Sequence, residues 1–389
     1  MWKAPPLSSL QSTLADPQLP VGMRMRATYF LRQEYDNYIK NQDPDDDSEK
    51  KTSDGEHNID ISLVVINTLS KSLKDVRHGA LLRHEFAYVL GQLRDVRAIS
   101  ILEHTLQDTT DNTMVRHECA EALGAIGSSQ SIPTLQNIVD TDTSIEVGQT
   151  CRLALDYIQW KLKGGEEGEG EEDAPPTCAC MQSPYSSIDP APPHPKHVSL
   201  TSSEIGTILL DDKEPLFSRF RAMFSLRNRG TIEDVKQLGN ALINDNSSAL
   251  LRHEVAYVLG QLQHPAAVEY LEISLKRKDE HCMVRHESAE ALGAIEERWG
   301  ECEAILEQFV NDEDDVVRES CMVALDAADY WGYNNNAAEE EEVVVEEGTG
   351  TDQTKERINF SLHKAESNGK NVSRQQPDGV LHNHFNIAA

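Results

Sequence analysis

Apolar residues recur along this chain at three- and four-residue spacing in two long stretches, about 20–160 and 200–332, the rhythm of helices with a buried face. In LLRHEFAYVLGQL, residues 81–93, that rhythm places Leu82, Phe86, Val89, Leu90 and Leu93 on one stripe. Strand-like alternation is missing from these blocks, which argues against a β-propeller or a leucine-rich array. The block returns as LLRHEVAYVLGQL at 250–262, and MVRHECAEALGAI at 114–126 returns as MVRHESAEALGAI at 283–295. The two stretches are therefore a duplication. Within each, His84 to His117 and His253 to His286 are spaced by 33 residues, a period of stacked two-helix solenoid units.

Weaker units flank these blocks. Arg26–Arg32 (RATYFLR) resembles Arg221–Arg227 (RAMFSLR), and CRLALD at 151–156 resembles CMVALD at 321–326. The expectation is an all-α solenoid of eight helical hairpins in two pseudo-symmetric halves, over 1–162 and 201–333. Composition predicts disorder for an acidic insertion at about 41–58, an acidic and Pro-rich linker at 163–200, and a tail at 334–389.

Charge narrows the function classes. The chain has 66 acidic and 36 basic residues, a formal charge of -30, which disfavours nucleic acid and anionic membranes as partners. Segments 43–56, 166–173 and 334–389 hold sixteen of those net negatives, so the folded parts stay acidic and favour a cationic partner. With no long apolar run and no apolar leader after Met1, a cytoplasmic location is expected. The seven scattered cysteines fit a reducing compartment, and Cys178-Ala179-Cys180 is too isolated to read as a metal or redox motif.

The tripeptide Arg-His-Glu occurs at 83–85, 116–118, 252–254 and 285–287, always at the same place in its repeat. The last repeats carry Gln149-Thr150 and Glu319-Ser320 instead of His-Glu, and another outer repeat carries Phe220-Arg221. A feature needed only for stacking would not stop at the central repeats. Neighbouring solenoid helices lie roughly 8–10 Å apart, so equivalent histidines on them can reach one ion. Two His and one Glu form the ligand set of non-haem Fe(II), and two facing halves would give a two-metal centre. The zincin spacing is absent, because the residues four after each histidine are Tyr88, Glu121, Tyr257 and Glu290.

Adjacent helical positions diverge by about 100°, so His and the following Glu do not both aim at one ion in every repeat. We assign His84, His117 and Glu118 to one ion and His253, His286 and Glu287 to the other. Glu85 and Glu254 become weaker ligands, acceptors behind the ligands, or anchors for a cationic substrate. Gly91, Gly124, Gly260 and Gly293, seven residues after each histidine, read as close helix contacts, and Tyr88 and Tyr257 as core.

The blocks LLRHEFAYVLGQL and MVRHECAEALGAIG, with four His-Glu pairs in two halves, resemble the deoxyhypusine hydroxylase family of HEAT-repeat enzymes over about 20–160 and 200–332. The resemblance implies two Fe(2+) ions per chain, O2 as co-substrate and an external reductant. It implies a deoxyhypusine-containing translation initiation factor as protein substrate. By this resemblance the four His-Glu motifs, His84-Glu85, His117-Glu118, His253-Glu254 and His286-Glu287, are the metal-site residues, and Glu85 and Glu254 are expected to be catalytic as well. Two other readings are a non-catalytic HEAT-repeat scaffold that holds a basic protein segment and a HEAT-repeat lyase for bilins.

Overall fold

A computed structural model describes residues 5–42, 59–164 and 183–340. Most of the acidic insertion, the Cys178–Cys180 pair and the end of the chain from 341 lie outside these residues. Among the described residues there are sixteen α-helices and no strand, consecutive helices forming eight hairpins. The first half contains α1 (Leu7–Ala15), α2 (Val21–Lys40), α3 (Ile61–Lys74), α4 (Gly79–Gln92), α5 (Ile99–Gln107), α6 (Thr113–Ile126), α7 (Ile132–Thr141) and α8 (Ile145–Leu162). The second contains α9 (Ser202–Leu210), α10 (Leu216–Arg229), α11 (Ile232–Asn244), α12 (Ala249–Leu262), α13 (Val268–Lys276), α14 (Cys282–Gly293), α15 (Trp299–Leu306) and α16 (Asp315–Glu340).

Local chemistry punctuates the hairpins. Asn112 and Ser248 cap α6 and α12 through their side chains, and Thr201 and Thr231 form capping boxes with Glu204 and Asp234 at α9 and α11. Gly127 and Gly230 end α6 and α10 in the left-handed region, at φ 72° and 60°, where a side chain would be strained.

The arginine of the repeated tripeptide belongs to the scaffold. Arg83, Arg116 and Arg285 each donate from Nε to a carbonyl ten residues earlier, Leu73, Leu106 and Leu275, at 2.7–2.9 Å. Their guanidinium groups pair with Asp111, Asp142 and Asp312. Arg219, in a repeat without His-Glu, makes the same contacts to the Leu209 carbonyl and Asp245. Arg252 departs from the pattern and pairs with Glu280. Each strut satisfies a helix-end carbonyl and ties one hairpin to the next.

The even-numbered helices stack side by side, α4 on α6 on α8 and α12 on α14 on α16, with the odd helices outside. Buried residues run round nearly the whole of α4 and α6, as expected for helices walled in on every side rather than on one stripe. Gly91, Gly124 and Gly293 allow the close approach: a Cβ on Gly91 would sit 2.6 Å from Ala122 Cα. The two halves meet at both ends. Helix α16 packs on α2 through the Arg26–Asp326 ion pair, and α8 packs on α10 and α12 with Ser248 donating to Gln149 at 2.7 Å. The result is a closed ring.

Residues 183–200 differ from the disordered linker expected there. Asp189 forms a two-bond ion pair with the fully buried Arg227, Arg221 donates to the carbonyls of Pro192 and Pro193, and Ala191 is buried in the second core. Ile188 N–H donates to Gln92 of α4 at 2.9 Å, so this strap reaches back to the first half. A Pro-rich sequence of low hydropathy gave no helical rhythm, but its prolines and one carboxylate found fixed partners.

Candidate metal centre

The ring brings the four repeated histidines together. The rings of His84, His117, His253 and His286 lie with centroids 5.3–6.0 Å apart along five of the pairings, two within a half and three between the halves. All four are buried, His117 and His286 completely. They are carried on α4, α6, α12 and α14, whose stacking places equivalent residues side by side.

Carboxylates fill the spaces between. Glu118 Oε2 is 3.0 Å from His84 Nε2, and Glu287 Oε2 is 3.4 Å from His253 Nε2 and 3.9 Å from His286 Nε2. Glu85 lies 3.2 Å from His84 Nδ1 and accepts a 2.5 Å hydrogen bond from Tyr29. Three groups have side-chain atoms within 4.8 Å of one another, close enough to share an ion: His84, His117 and His253; His253, His286 and Glu287; His117, Glu118 and Glu121. The second matches one ligand set assigned from sequence. The other two add a cross-half histidine and the unassigned Glu121 to members of the remaining set.

These groups are buried without adequate partners. Both ring nitrogens of His117 and His253, Nε2 of His84 and His286, and one oxygen each of Glu121, Glu287 and Glu290 lack a hydrogen bond. Such atoms are costly in a dry interior unless a cation or donor meets them. Burial, and then the neighbouring histidines, hold His117 and His286 well below the usual imidazole range, and His253 falls to about 3 for the same reasons. Burial opposes charge on His84 too, but Glu118 and Glu85 outweigh it and raise its pKa. Burial, with neighbouring carboxylates adding to it, raises Glu121, Glu254, Glu287 and Glu290. Three neutral imidazoles with lone pairs among crowded carboxylates form a donor set for a divalent cation.

A cleft of about 420 Å³, its open mouth included, leads to the histidines. His84, Glu85, Glu118, His253, Glu254 and Glu287 line it, together with Tyr88, Gln92, Glu121, Tyr257 and strap residues Ser187–Pro190. Tyr88 and Tyr257, expected in the core, meet across the two halves at 3.0 Å between hydroxyls. Sequence reading missed Glu121, Glu290, Tyr29 and the strap. The signal for the first two was available: a Glu one turn after the second histidine of each half, on the same helical face.

HEAT repeats are matched over residues 65–156 and 209–326. A deoxyhypusine hydroxylase of Danio rerio is 48% identical over 255 residues, 66% of this chain and 78% of that protein. The chain belongs to the deoxyhypusine hydroxylase family. A Mus musculus deoxyhypusine hydroxylase is 42% identical over 327 residues, 83% of this chain and 92% of that protein. The structure of human deoxyhypusine hydroxylase in complex with glycerol superposes with a TM-score of 0.67 at 41% identity, covering 83% of this chain and 96% of that one. Family membership bears out the resemblance carried by the repeated blocks.

Proposed function

We propose that this protein is an O2-dependent hydroxylase of the deoxyhypusine side chain on a translation initiation factor, with two Fe(2+) ions at the histidine cluster. The supporting observation is the convergence of four buried imidazoles with unpaired nitrogens and their carboxylate neighbours. In this reading His84, His117 and Glu118 hold one iron, and His253, His286 and Glu287 hold the other. The pair of irons would supply the two-electron activation of dioxygen that an unreactive C–H bond requires. One oxygen atom enters the C–H bond, and the other leaves as water with two electrons and two protons from an external reductant.

The chain's own side chains position the substrate. The amines of deoxyhypusine are cations, and the acidic cleft draws them in and orients them by charge-assisted hydrogen bonds. Glu85 and Glu254 stand at the cleft beside the histidines and serve as anchors. The burial of His117 and His286 keeps water from the deepest ligands. No described helix is long and apolar enough to cross a membrane, which accords with the proposed cytoplasmic location.

Metal analysis of protein made with ample iron should give about two irons per chain. Incubation with deoxyhypusine-bearing substrate, O2 and reductant should add the mass of one oxygen atom. Negligible iron together with tight, unmodified retention of the partner would instead establish the scaffold reading.

A further inference from the structure

The strap forms one wall of the cleft, through Ser187, Ile188, Asp189 and Pro190. Side chains of both halves hold it there. Gln92 of α4 accepts from the Ile188 N–H, and Arg227 of α10 grips the residues on either side. Arg227 Nη1 and Nη2 donate to the two Asp189 oxygens at 2.7 and 2.5 Å, and Nη2 also donates to Ser183 at 3.0 Å. The guanidinium lies over the Tyr185 ring, 5.0 Å from its centre.

A second path runs from the same guanidinium to the cleft. Nη1 donates to Gln261 Oε1 at 3.0 Å, and Gln261 Nε2 donates at 3.0 Å to both the Ser187 and the Tyr257 hydroxyl oxygens. Tyr257 in turn meets Tyr88 of the other half. One side chain thus orients three lining residues, Ser187, Asp189 and Tyr257, while being fully buried and outside the lining itself. The repeat does not require this hub. Arg32 holds the same place in α2, by RATYFLR against RAMFSLR, yet its Nη1 is buried without a hydrogen-bond partner and Asp36 stands 3.9 Å from its Nε. Gln92, the counterpart of Gln261, takes the strap backbone instead.

We propose that Arg227 is a positioning residue for substrate capture: from behind the cleft it fixes the strap wall and the Tyr257 hydroxyl where a protein-borne side chain meets them on entry. The inference rests on the substrate reading above and adds to it a residue that lies outside the His-Glu motifs. Irregular backbone has no hydrogen-bond ladder of its own, so without the hub the wall would have to be ordered at the expense of binding. The effect therefore falls on affinity and leaves the chemical step alone. A forked guanidinium–carboxylate pair fixes orientation as well as distance, which the point charge of a lysine does not.

Steady-state hydroxylation of a deoxyhypusine-bearing protein can be compared for the metal-loaded, full-length chain and its Arg227→Lys, Gln261→Leu and Arg219→Lys variants, with iron content and hydrogen exchange over 183–190 measured in each. Arg227→Lys, which keeps the buried cation and loses the fork, should raise KM roughly tenfold with kcat unchanged, full iron and faster exchange at Ile188. Gln261→Leu cuts the path to Tyr257, leaves the Asp189 pair in place, and should raise KM by a smaller factor. Arg219→Lys disturbs a strut outside the cleft lining and should leave KM and strap exchange as they are. An unchanged KM in Arg227→Lys, an equal rise in Arg219→Lys, or a loss of iron or kcat in place of the KM effect would overturn the proposal. An inactive wild type would overturn the substrate reading and this proposal with it, whereas an active one whose KM ignores Arg227 would overturn the proposal alone.

Discussion

In the first half Glu85 is met by the Tyr29 hydroxyl, whereas in the second half Phe224 occupies the matching place and Glu254 faces the cleft without that donor. One turn beyond His286, Glu290 is held by Ser320, while beyond His117 the corresponding Glu121 has an unpartnered oxygen. The histidines and their adjacent glutamates are the same in both halves. Duplication kept the groups that converge on the centre and let the contacts behind them diverge. The shared histidine–glutamate pairs follow the repeat, while the residues behind them differ because other helices supply them.

The arginine of the same tripeptide draws a second contrast. Arg219 braces a repeat that lacks His-Glu, so bracing and chemistry are separable within three consecutive residues.

The largest expected effect tests whether the two ligand sets are equal. His84→Ala and His253→Ala should each remove half or more of the iron and lower turnover by at least roughly a hundredfold. Retention of full iron and activity in either variant would break the ligand assignment. Next in size, Arg116→Ala and Arg285→Ala should each cost about 3–5 kcal/mol in urea unfolding, because each leaves an aspartate at the hairpin junction unpaired. Arg285 holds the Asp312 carboxyl below the usual range. Its contribution is therefore complete above about pH 4 and is lost as pH falls further, which a pH series of unfolding would register.

Glycine substitutions separate tight contact from open surface. Gly91→Ala should cost about 1–3 kcal/mol by forcing α4 from α6. Gly148→Ala, with nothing within 4 Å of the added methyl, should stabilise α8 by up to about 1 kcal/mol. Equal thermal shifts would contradict the close packing. A change of similar size sharpens the contrast at Glu85: Tyr29→Phe should cost about 1–2 kcal/mol and copies into the first half what Phe224 provides in the second. Unchanged stability would mean that the Tyr29 hydroxyl contributes nothing net.

What could be read in the sequence was what the duplication repeats. Helical spacing and the recurrence of LLRHE and MVRHE marked the hairpins and the four histidines, because identical residues at identical repeat positions fall on equivalent faces. The strap at 183–200 carries no repeat and no helical rhythm, and its order comes from single long-range contacts such as Asp189–Arg227. Glu121 and Glu290 were visible as residues four after histidine, but they differ in the partners that other helices bring. Tyr88 and Tyr257 look like core on a helical wheel. Only the facing of two halves turns them into the rim of a cleft.

The seam between α2 and α16 joins chain positions about as distant as the described sequence allows, with Arg26 on Asp326. Hairpins built from near neighbours can form early, whereas contacts of such long separation form late. A polypeptide emerging amino-end first would thus hold two of its imidazoles in place while the other two await synthesis. The four-imidazole cluster is complete only once the last helix docks on the first repeat.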